Sequence, residues 1–366
     1  MKIGFIAAAN SFHTVKWANA MAEKGHQVTV FSLANHADQK DSFRSDIVLI
    51  YLPQTGFKGY YLNVPVLKKH LKQSIFDVLD VQYASGYATL ARLTKASPLV
   101  LSVLGSDVYD FPFKSVFHKK LVQKNLRYAH VLASSSRTMA QHIKTALGVK
   151  KPIAVVPFGV DTERFCPQPV SKQPGTYHIG TVKLLEPVYD IGYLLNVFAR
   201  LKKKGCYASS LFLDIYGYGS CLESLKQQSR ELQIDSFVTF HGYIDNSKVP
   251  DALSGLDVFC LTSTMESFGV AAVEAMACEV PVVASDAEGF KEVVDSEKCG
   301  FIVPKTNMQS FADKIDLLLQ KEDLRRQFGK YGRQKVLRDY NLSQNIDDFE
   351  KLLIKTAKQK NRVVKQ

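Results

Sequence analysis

Two glutamates that flank the start of a predicted helix are the strongest candidates for chemistry in this chain. The stretch 262–277 follows a predicted buried strand and becomes helical around Phe268. The free amides of a first helical turn can hold phosphate oxygens, and Gly269 leaves the backbone open to a ligand. A carboxylate beside such an anion site is useful only if it accepts hydrogen bonds from neighbouring hydroxyl groups. Glu266 and Glu274 can contact opposite ends of one elongated ligand, and a ligand whose hydroxyls flank a diphosphate is a nucleotide sugar.

Several other chemistries lack their motifs in this sequence. No Asp-x-Asp occurs, and enzymes that hold a diphosphate through a divalent metal need such paired carboxylates. No Gly-x-Ser-x-Gly elbow of a serine hydrolase occurs. The glycine turn at 217–222 lacks the third glycine of a dinucleotide fingerprint. We therefore expect no metal and no cofactor, with the nucleotide sugar as a substrate.

The elements that must position these residues are short apolar strands that alternate with helical patterns. This alternation predicts parallel sheets covered by helices on both faces. The helical segments with clear periodicity are 15–24, 193–203, 220–232 and 309–320. The predicted strands are 2–8, 27–33, 47–51, 78–82, 99–103, 130–134, 153–156, 177–182, 211–216, 237–241, 257–261, 281–284 and 301–303.

The strand–helix pattern runs twice, and a proline-rich break separates the two runs. Three prolines and a glycine between residues 166 and 175 exclude a helix or a central strand there. We predict an N-terminal domain over 1–166, a linker over 167–175 and a C-terminal domain over 176–342. The tail 343–366 is predicted to form a helix that packs back onto the first domain. Two doubly wound domains of this kind bind ligands at the carboxyl ends of their strands.

Composition and charge limit the class of protein. The chain has 366 residues, 46% of them hydrophobic, which is typical of a globular protein with two cores. No apolar run approaches the roughly 18–20 residues that cross a bilayer. The six cysteines, at 166, 206, 221, 260, 278 and 299, show no pairing rhythm. We therefore expect reduced thiols and a cytoplasmic protein.

The net charge of +12 lies entirely in the first half of the chain. Residues 1–175 contain 22 Lys and Arg against 10 Asp and Glu, whereas residues 176–366 contain 25 of each. Basic amphipathic segments at 56–72 and 111–127 alternate aromatic or aliphatic residues with cations. Such segments can lie on an anionic membrane surface, and we predict peripheral contact at the inner face of the cytoplasmic membrane. Scattered solubilising lysines are the alternative.

The chain resembles the GT-B glycosyltransferases, specifically the retaining family four that uses nucleotide sugars. The spacing of Glu266 and Glu274 matches the family's glutamate–seven residues–glutamate signature. Further matching segments, in the family's order, are 157–165, 213–219 and 238–243. The resemblance implies an α/β GT-B fold, with two Rossmann-like domains facing an interdomain cleft.

The resemblance also implies roles for individual residues. Glu266 binds donor-sugar hydroxyls, Glu274 accepts hydrogen bonds from the ribose, and Lys183 neutralises the departing diphosphate. The remaining donor-site and first-domain candidates are Phe268, Gly269, Val270, Gly217, Tyr243, Asn10, Ser11 and His13. Asp107 either contacts the acceptor or the reacting sugar, or caps the following turn, and the residues leave both open.

Some positions depart from the family pattern. The second phosphate-binding lysine is expected about six residues after Lys183, where residues 188–190 are Val, Tyr and Asp. Glu279 stands where a helix usually ends in glycine, and Glu288 replaces the first glycine of a pair. Leu104 occupies a position that is often histidine.

The residues and the resemblance together imply a metal-independent glycosyltransferase, and the resemblance implies that it is retaining. It would move a hexose-type sugar from a nucleotide diphosphate, UDP slightly favoured over GDP, to a glycan or lipid-linked glycan. Bacterial surface polysaccharide or glycolipid synthesis is the expected setting. The alternatives are a nucleotide-sugar epimerase or glycogen-type phosphorylase of the same fold, or a basic nucleic-acid-binding protein. The last would leave Glu266 and Glu274 unexplained, since no recognised nucleic-acid motif occurs.

Overall fold

The structure is a computed structural model that describes residues 1–38, 41–171, 173–204 and 209–363. Its strands are β1 Lys2–Ile6, β2 Gln27–Leu33, β3 Val48–Leu52, β4 Val78–Gln82, β5 Leu99–Val103, β6 Val131–Ser134, β7 Ile153–Val155, β8 Tyr177–Val182, β9 Leu211–Tyr216, β10 Val238–Gly242, β11 Val258–Leu261, β12 Val282–Ser285 and β13 Gly300–Val303. Its α-helices are α1 Phe12–Glu23, α2 Gly56–Leu62, α3 Val64–Gln73, α4 Gly86–Thr94, α5 Ser106–Tyr109, α6 Val116–Tyr128, α7 Arg137–Ala146, α8 Ile191–Lys203, α9 Leu222–Glu231, α10 Val249–Ser254, α11 Val270–Ala277, α12 Glu288–Val293, α13 Met308–Gln320, α14 Glu322–Asp339 and α15 Leu342–Val363. Each predicted strand is present, with bounds that differ by a residue or two.

The chain divides into two compact units. The first contains Met1–Phe158 and the C-terminal segment from Ser343 onward, and the second contains Gly159–Leu342. The predicted boundary at 166 therefore lies several residues too late. Val160 exchanges backbone hydrogen bonds with Tyr340 and Leu342, and Arg333 donates to the carbonyl oxygen of Phe165 at 3.1 Å. These bonds tie the segment 159–165 to the second unit.

The first unit is built on a parallel sheet with strand order β3-β2-β1-β4-β5-β6-β7. Side chains alternate across it, so that Ile3 and Phe5 enter the core on one face while Ile6 enters the core on the other. Helices α3, α4, α6 and α7 contribute to the core that contains Ile6. Helices α1 and α15 contribute to the opposite core.

The C-terminal helix α15 belongs to the core of the first unit. Phe349 is buried and its ring lies 4.7 Å from that of Trp17 on α1. At the rim of this contact the Lys24 ammonium lies 2.6 Å from Asp347 and 3.0 Å from Glu350. Apolar burial thus holds the helix, and the surface ion pairs add little.

The second unit has its own parallel sheet, with strand order β10-β9-β8-β11-β12-β13. Strand order reverses between β8 and β11, and a doubly wound sheet opens a ligand crevice at the carboxyl ends of the strands beside such a switch. Both sheets are parallel and helix-covered, so the predicted α/β fold class is confirmed.

Helix α11 is nearly all apolar and is buried by its neighbours. It packs on α14, α10 and α12. Glu279, just after the helix, has a φ of 60°, a left-handed conformation that glycine adopts without steric cost. The left-handed turn is therefore made here without the glycine usual in the family.

Candidate active site

The carboxyl ends of the strands in the second unit bring most of the predicted donor-site residues to one edge of its sheet. Lys183 directly follows β8, Gly217 follows β9 and Tyr243 follows β10. Glu266 lies in the loop between β11 and α11. Because β8, β9, β10 and β11 are parallel neighbours in this sheet, these loops leave it on the same side.

Lys183 and Glu266 form an ion pair. The Lys183 Nζ lies 2.8 Å from Glu266 Oε2, and the two side chains are only 15% and 13% exposed. The same ammonium lies over the ring of Tyr189, 4.7 Å from its centroid. Two opposite charges held at a partly buried strand edge are less screened than surface charges, so both can act on a charged ligand there.

Gly217 positions the backbone of Lys183. Its φ is +139°, and a Cβ at this position would lie 1.8 Å from the carbonyl oxygen of Lys183. The amide of Gly217 donates to Gly242 at 2.7 Å, and the amide of Lys183 donates to Tyr216 at 3.0 Å. The predicted donor-site glycine therefore lets the loops after β8, β9 and β10 pack against one another.

The loop that carries Glu266 is tied to the turn after Lys183. The hydroxyl and the amide of Thr264 both donate to the carbonyl of Val188, at 3.0 and 2.8 Å. Thr262 donates its hydroxyl to the carbonyls of Tyr189 and Asp190. These bonds fix the loop of Glu266 relative to the loop of Lys183, which explains how residues 83 positions apart can meet.

Gly289 supports the same loop from the other side. Its amide donates to the carbonyl of Glu266 at 3.0 Å, and a Cβ on it would lie 2.6 Å from the amide nitrogen of Phe268. Close backbone approach is therefore kept here although Glu288 replaces the first glycine of the usual pair.

The helix that was predicted to bind phosphate begins two residues later than predicted. Helix α11 starts at Val270, Gly269 is its N-cap with a φ of 100°, and Phe268 is buried just before it. Helical bonding begins with the amide of Ala272, which donates to Gly269 at 3.0 Å. The amides of Val270 and Ala271 therefore lie ahead of the first helical hydrogen bond, where an anion can bind.

Glu274 is the charged residue of α11. The helix sequence is VAAVEAMA, and the residues on either side of Glu274 are buried while it is partly exposed. It lies one turn after Val270, on the same face of the helix. Its contact with the ribose of a donor stays a prediction.

The exposed ring of Tyr243 faces a second aromatic residue that the sequence analysis did not select. Tyr243 is 65% exposed and Tyr218 is 55% exposed, and their ring centroids lie 6.0 Å apart. Two exposed aromatic rings at a strand edge offer a stacking surface for a planar group. The signal in the sequence was the tyrosine within the turn Gly217–Gly219.

A histidine–aspartate cluster, also missed from the sequence, joins β8, β9 and β10. The two carboxylate oxygens of Asp214 lie 2.7 Å from His178 Nδ1 and 2.7 Å from His241 Nε2. Burial alone would raise the pKa of Asp214, but the hydrogen bonds from the histidines outweigh it and lower the pKa. The imidazole of His241 also stacks on Tyr216 at 4.1 Å. Polar residues in otherwise apolar strands were the available signal.

The position of the second phosphate-binding lysine holds an anion instead. Asp190 caps α8 by accepting from the amide of Tyr193, and Lys305 Nζ lies 2.5 Å from its carboxylate. Lys305 follows β13, at the same edge of the sheet as Lys183. Lys305 is thus paired with Asp190, as Lys183 is paired with Glu266.

The first-unit candidates Asn10, Ser11 and His13 lie together at the start of α1. Asn10 is exposed, and Ser11 is the N-cap of the helix. His13 stacks on Phe158 with ring centroids 3.9 Å apart, and its Nδ1 is buried without a hydrogen-bond partner. Burial, together with the charge of Lys16, lowers the pKa of His13 to about 4. His13 is therefore neutral at physiological pH.

Asp107 has a structural position in this fold. It is 1% exposed, and its carboxylate accepts from the amides of Ala84, Leu104 and Gly105 at 2.7, 3.2 and 2.8 Å. Burial raises the pKa of Asp107, and these backbone bonds oppose the shift. A carboxylate engaged in this way would have to break loop bonds to reach a ligand. Local bonding to backbone amides is what the structure has, and contact with the acceptor or the reacting sugar stays a prediction.

The described residues also bear on metal, thiol and membrane chemistry. Within 1–38, 41–171, 173–204 and 209–363, no group of His, Cys, Asp and Glu side chains is arranged to hold a metal ion. The cysteines at 166, 221, 260, 278 and 299 are free thiols, and Cys206 lies outside the described residues. Among the helices of the described part, none combines the length and apolar character needed to span a bilayer.

Two family models match the chain. The model for glycosyl transferases group 1 matches residues 165–335, and the model for glycosyl transferase 4-like proteins matches residues 2–136. The chain belongs to the group 1 glycosyltransferases of the GT-B fold. It is therefore a transferase, as its sequence predicts.

Relatives and solved structures agree with this family. A phosphatidyl-myo-inositol mannosyltransferase of Mycobacterium tuberculosis is 26% identical over 353 residues, which cover 89% of this chain and 88% of the relative. Sucrose-phosphate synthase from Thermosynechococcus elongatus has a TM-score of 0.82 at 19% identity, covering 96% of this chain and 98% of that structure. Anabaena HepE in complex with UDP has a TM-score of 0.80 at 17% identity, covering 97% and 100%. At these identities the solved structures support the GT-B fold.

Proposed function

We propose that this glycosyltransferase is a retaining enzyme that moves a hexose-type sugar from a nucleotide diphosphate to a glycan or a lipid-linked glycan, without a metal. The proposal rests mainly on the Lys183–Glu266 ion pair at the carboxyl ends of the strands. Glu266 lies in the loop that connects β11 to α11. The pair supplies one cation for a diphosphate and one carboxylate for sugar hydroxyls. Surface polysaccharide or glycolipid synthesis in a bacterium is the proposed setting.

The cation and the helix amides act on the leaving group. As the bond between the sugar C1 and the diphosphate oxygen breaks, negative charge grows on that oxygen. The ammonium of Lys183 and the amides of Val270 and Ala271 neutralise this charge, which lowers the barrier more in the transition state than in the ground state. The acceptor oxygen bonds to C1 on the same face, and its proton passes to the departing diphosphate. Configuration at C1 is thereby retained.

The two glutamates orient the donor. When the donor binds, Lys183 turns from Glu266 to the diphosphate, and Glu266 accepts hydrogen bonds from hydroxyls of the sugar. Glu274 accepts hydrogen bonds from the ribose. Since both carboxylates accept from neutral hydroxyls, they bind strongly without opposing the cation.

The base is proposed to lie on Tyr243, with Tyr218 beside it. Stacking is tolerant of base identity, so these rings accept uracil or guanine. The HepE structure contains UDP, which supports the slight preference for a UDP-sugar.

The acceptor is proposed to bind the first unit near Asn10, Ser11 and His13. A neutral His13 can exchange hydrogen bonds with acceptor hydroxyls without carrying a charge. The mannosyltransferase relative is named for a phosphatidylinositol, which supports a lipid-linked acceptor at the inner face of the cytoplasmic membrane.

The first experiment identifies the donor and tests Glu266 together. Purified protein is screened with UDP-, GDP- and ADP-sugars for thermal stabilisation and for release of the nucleotide. Glu266→Ala is expected to abolish transfer with folding intact. Glu231→Ala, an exposed glutamate of the same unit, is the matched control and should behave like wild type.

Two results would contradict the proposal. Normal turnover by Glu266→Ala would remove this residue from the reaction. Conversion of the donor sugar to another sugar in the absence of any acceptor would indicate an epimerase instead.

A further inference from the structure

Tyr189 lies six residues after Lys183, where the resemblance leads us to expect a second phosphate-binding lysine. This position supplies an aromatic face instead of a charge. Lys183 Nζ lies 4.7 Å from the centroid of the tyrosine ring and 2.8 Å from Glu266 Oε2. The ammonium therefore has one anionic partner and one neutral partner, and the two act differently when a second anion arrives.

The backbone around Tyr189 is held by several bonds. The amide of Tyr189 donates to the carbonyl of Glu186 at 3.0 Å, and its carbonyl accepts from the hydroxyl of Thr262, also at 3.0 Å. The next residue, Asp190, has a φ of 44°, caps α8 and pairs with Lys305. The ring therefore projects from a backbone that is fixed at Tyr189 and at the residue after it.

The stretch that joins Lys183 to this tyrosine is held as well. The amide of Leu185 donates to a backbone carbonyl of the turn after β9 at 2.8 Å. The carboxylate of Glu186 accepts from the amide and the hydroxyl of Ser220, at 2.9 and 2.6 Å. Because the backbone is bonded in this way, the part of the loop that can change its partner is the flexible side chain of Lys183. The tyrosine ring is a fixed surface beside it.

An aromatic ring attracts an ammonium without neutralising it. The face of the ring carries partial negative charge, and the cation keeps its full charge beside it. A carboxylate, by contrast, pairs with the cation and competes with a diphosphate for it. The side chain of Lys183 is only 15% exposed, so water weakens its attraction to the ring less than at an open surface. Tyr189 can therefore keep the ammonium at the site while it passes from Glu266 to the diphosphate.

We infer that Tyr189 is a positioning residue for Lys183. The inference rests on the leaving-group role proposed above for Lys183. The ring holds the ammonium in conformations from which it reaches the diphosphate, and this raises the fraction of donor complexes that are competent to react. Without the ring, Lys183 keeps its charge, but its side chain is free to turn away into solvent.

The test compares variants of Tyr189 by steady-state kinetics with the donor found in the screen. Tyr189→Leu keeps an apolar side chain but removes the aromatic face. It should lower kcat about tenfold, which lies within the range of a partly buried cation–π contact. KM should change by less than about threefold, as for a residue that acts through Lys183. Tyr189→Phe keeps the aromatic face and should have the kcat of wild type.

Fluorinated phenylalanines in place of Tyr189 separate the charge of the ring from its shape. Fluorine withdraws electron density from the face of the ring and changes its size little, so the attraction to an ammonium weakens with each fluorine added. The kcat of the mono-, di- and trifluoro variants should fall in that order towards that of Tyr189→Leu. A ring that only fills space would give the same kcat throughout the series, and this result would overturn the inference. The series also decides the question if Tyr189→Leu does not fold.

Tyr177→Leu is the matched control. Tyr177 is the first residue of β8, at the opposite end of the strand from Lys183, and the guanidinium of Arg325 lies over its ring at 5.7 Å. This variant should have the kcat and KM of wild type. If Lys183→Gln is slow and Tyr189→Leu is as fast as wild type, the inference alone fails. If Lys183→Gln is also as fast as wild type, the proposed role of Lys183 fails with it.

Discussion

The prediction that tests the site most directly is the replacement of Lys183 by glutamine. Lys183→Gln removes the cation that lies 2.8 Å from Glu266 while keeping a side chain that can hydrogen-bond. If Lys183 neutralises the departing diphosphate, the loss acts mainly in the transition state. The expected fall in kcat is about 10²–10³-fold, or about 2.7–4 kcal/mol, as for other single donors to a developing oxyanion. KM should change much less.

The same substitution has a calculable effect on stability. Both members of the pair are about one-eighth to one-seventh exposed, so the loss of one charge-assisted hydrogen bond is only modestly screened. Such bonds contribute about 1.5–3 kcal/mol. For a unit the size of residues 159–342, about 2 kcal/mol corresponds to a fall in melting temperature of about 4–8 °C. Glu266→Gln combined with Lys183→Gln should cost less than the sum of the two.

The assay is steady-state release of nucleotide from the donor found in the screen, with calorimetric melting of each variant. Lys330→Gln, an exposed lysine of the same unit, is the control and should leave both quantities unchanged. If Lys183→Gln keeps kcat within about threefold of wild type, the leaving-group role is refuted. If its melting temperature also stays unchanged, the ion pair contributes nothing to the fold.

Two further predictions concern Glu274 and His13. Glu274→Ala should weaken donor binding about 10–100-fold in isothermal titration calorimetry, since hydrogen bonds to a charged group contribute about 1.5–3 kcal/mol. Unchanged affinity would exclude a ribose contact. The pKa of His13 is lowered from 6.5 to about 4 in the folded chain. Between these pH values His13 binds a proton in the unfolded chain but not in the folded chain. The free energy of unfolding therefore decreases as the pH falls from 6.5 towards 4. The stability of wild type relative to His13→Gln, from urea unfolding, should therefore fall by about 3 kcal/mol between pH 7 and pH 4, and a constant difference would contradict the assignment.

The comparison of His13→Gln with wild type is needed because another buried group acts in the opposite sense. Burial raises the pKa of Asp80 to about 6, against hydrogen bonds from Ser102 and Gln82 that lower it. Between pH 6 and pH 3.8, Asp80 is protonated in the folded chain and ionised in the unfolded chain. Its contribution to the free energy of unfolding therefore increases as the pH falls below 6. Asp80 is present in both proteins, so its effect cancels in the difference.

The strands and the family could be predicted from the sequence because both depend on local pattern. Strands of a parallel sheet are buried on both faces, so each appears as a short apolar run, and β12 and β13 were found in this way. Glu266 and Glu274 lie within one loop and one helix, so their spacing alone indicates a common site. The start of α11 was predicted two residues too early, at Phe268. Phe268 is apolar and buried, as the first residue of a helix can be, so its residue type does not show where the helix begins.

Contacts between distant segments were decided only by the tertiary structure. The pairing of Lys183 with Glu266 depends on the adjacency of β8 and β11. The two contacts of Asp214 depend on histidines of β8 and β10, the strands on either side of its own strand β9. The carboxylate of Asp107 accepts from three backbone amides, one of them from Ala84, which is 23 positions away in the sequence. Local sequence determines which residues can form a strand, a cap or a charged turn. Which charge meets which partner is settled by the order of strands in a sheet, because that order brings residues many positions apart within hydrogen-bonding distance.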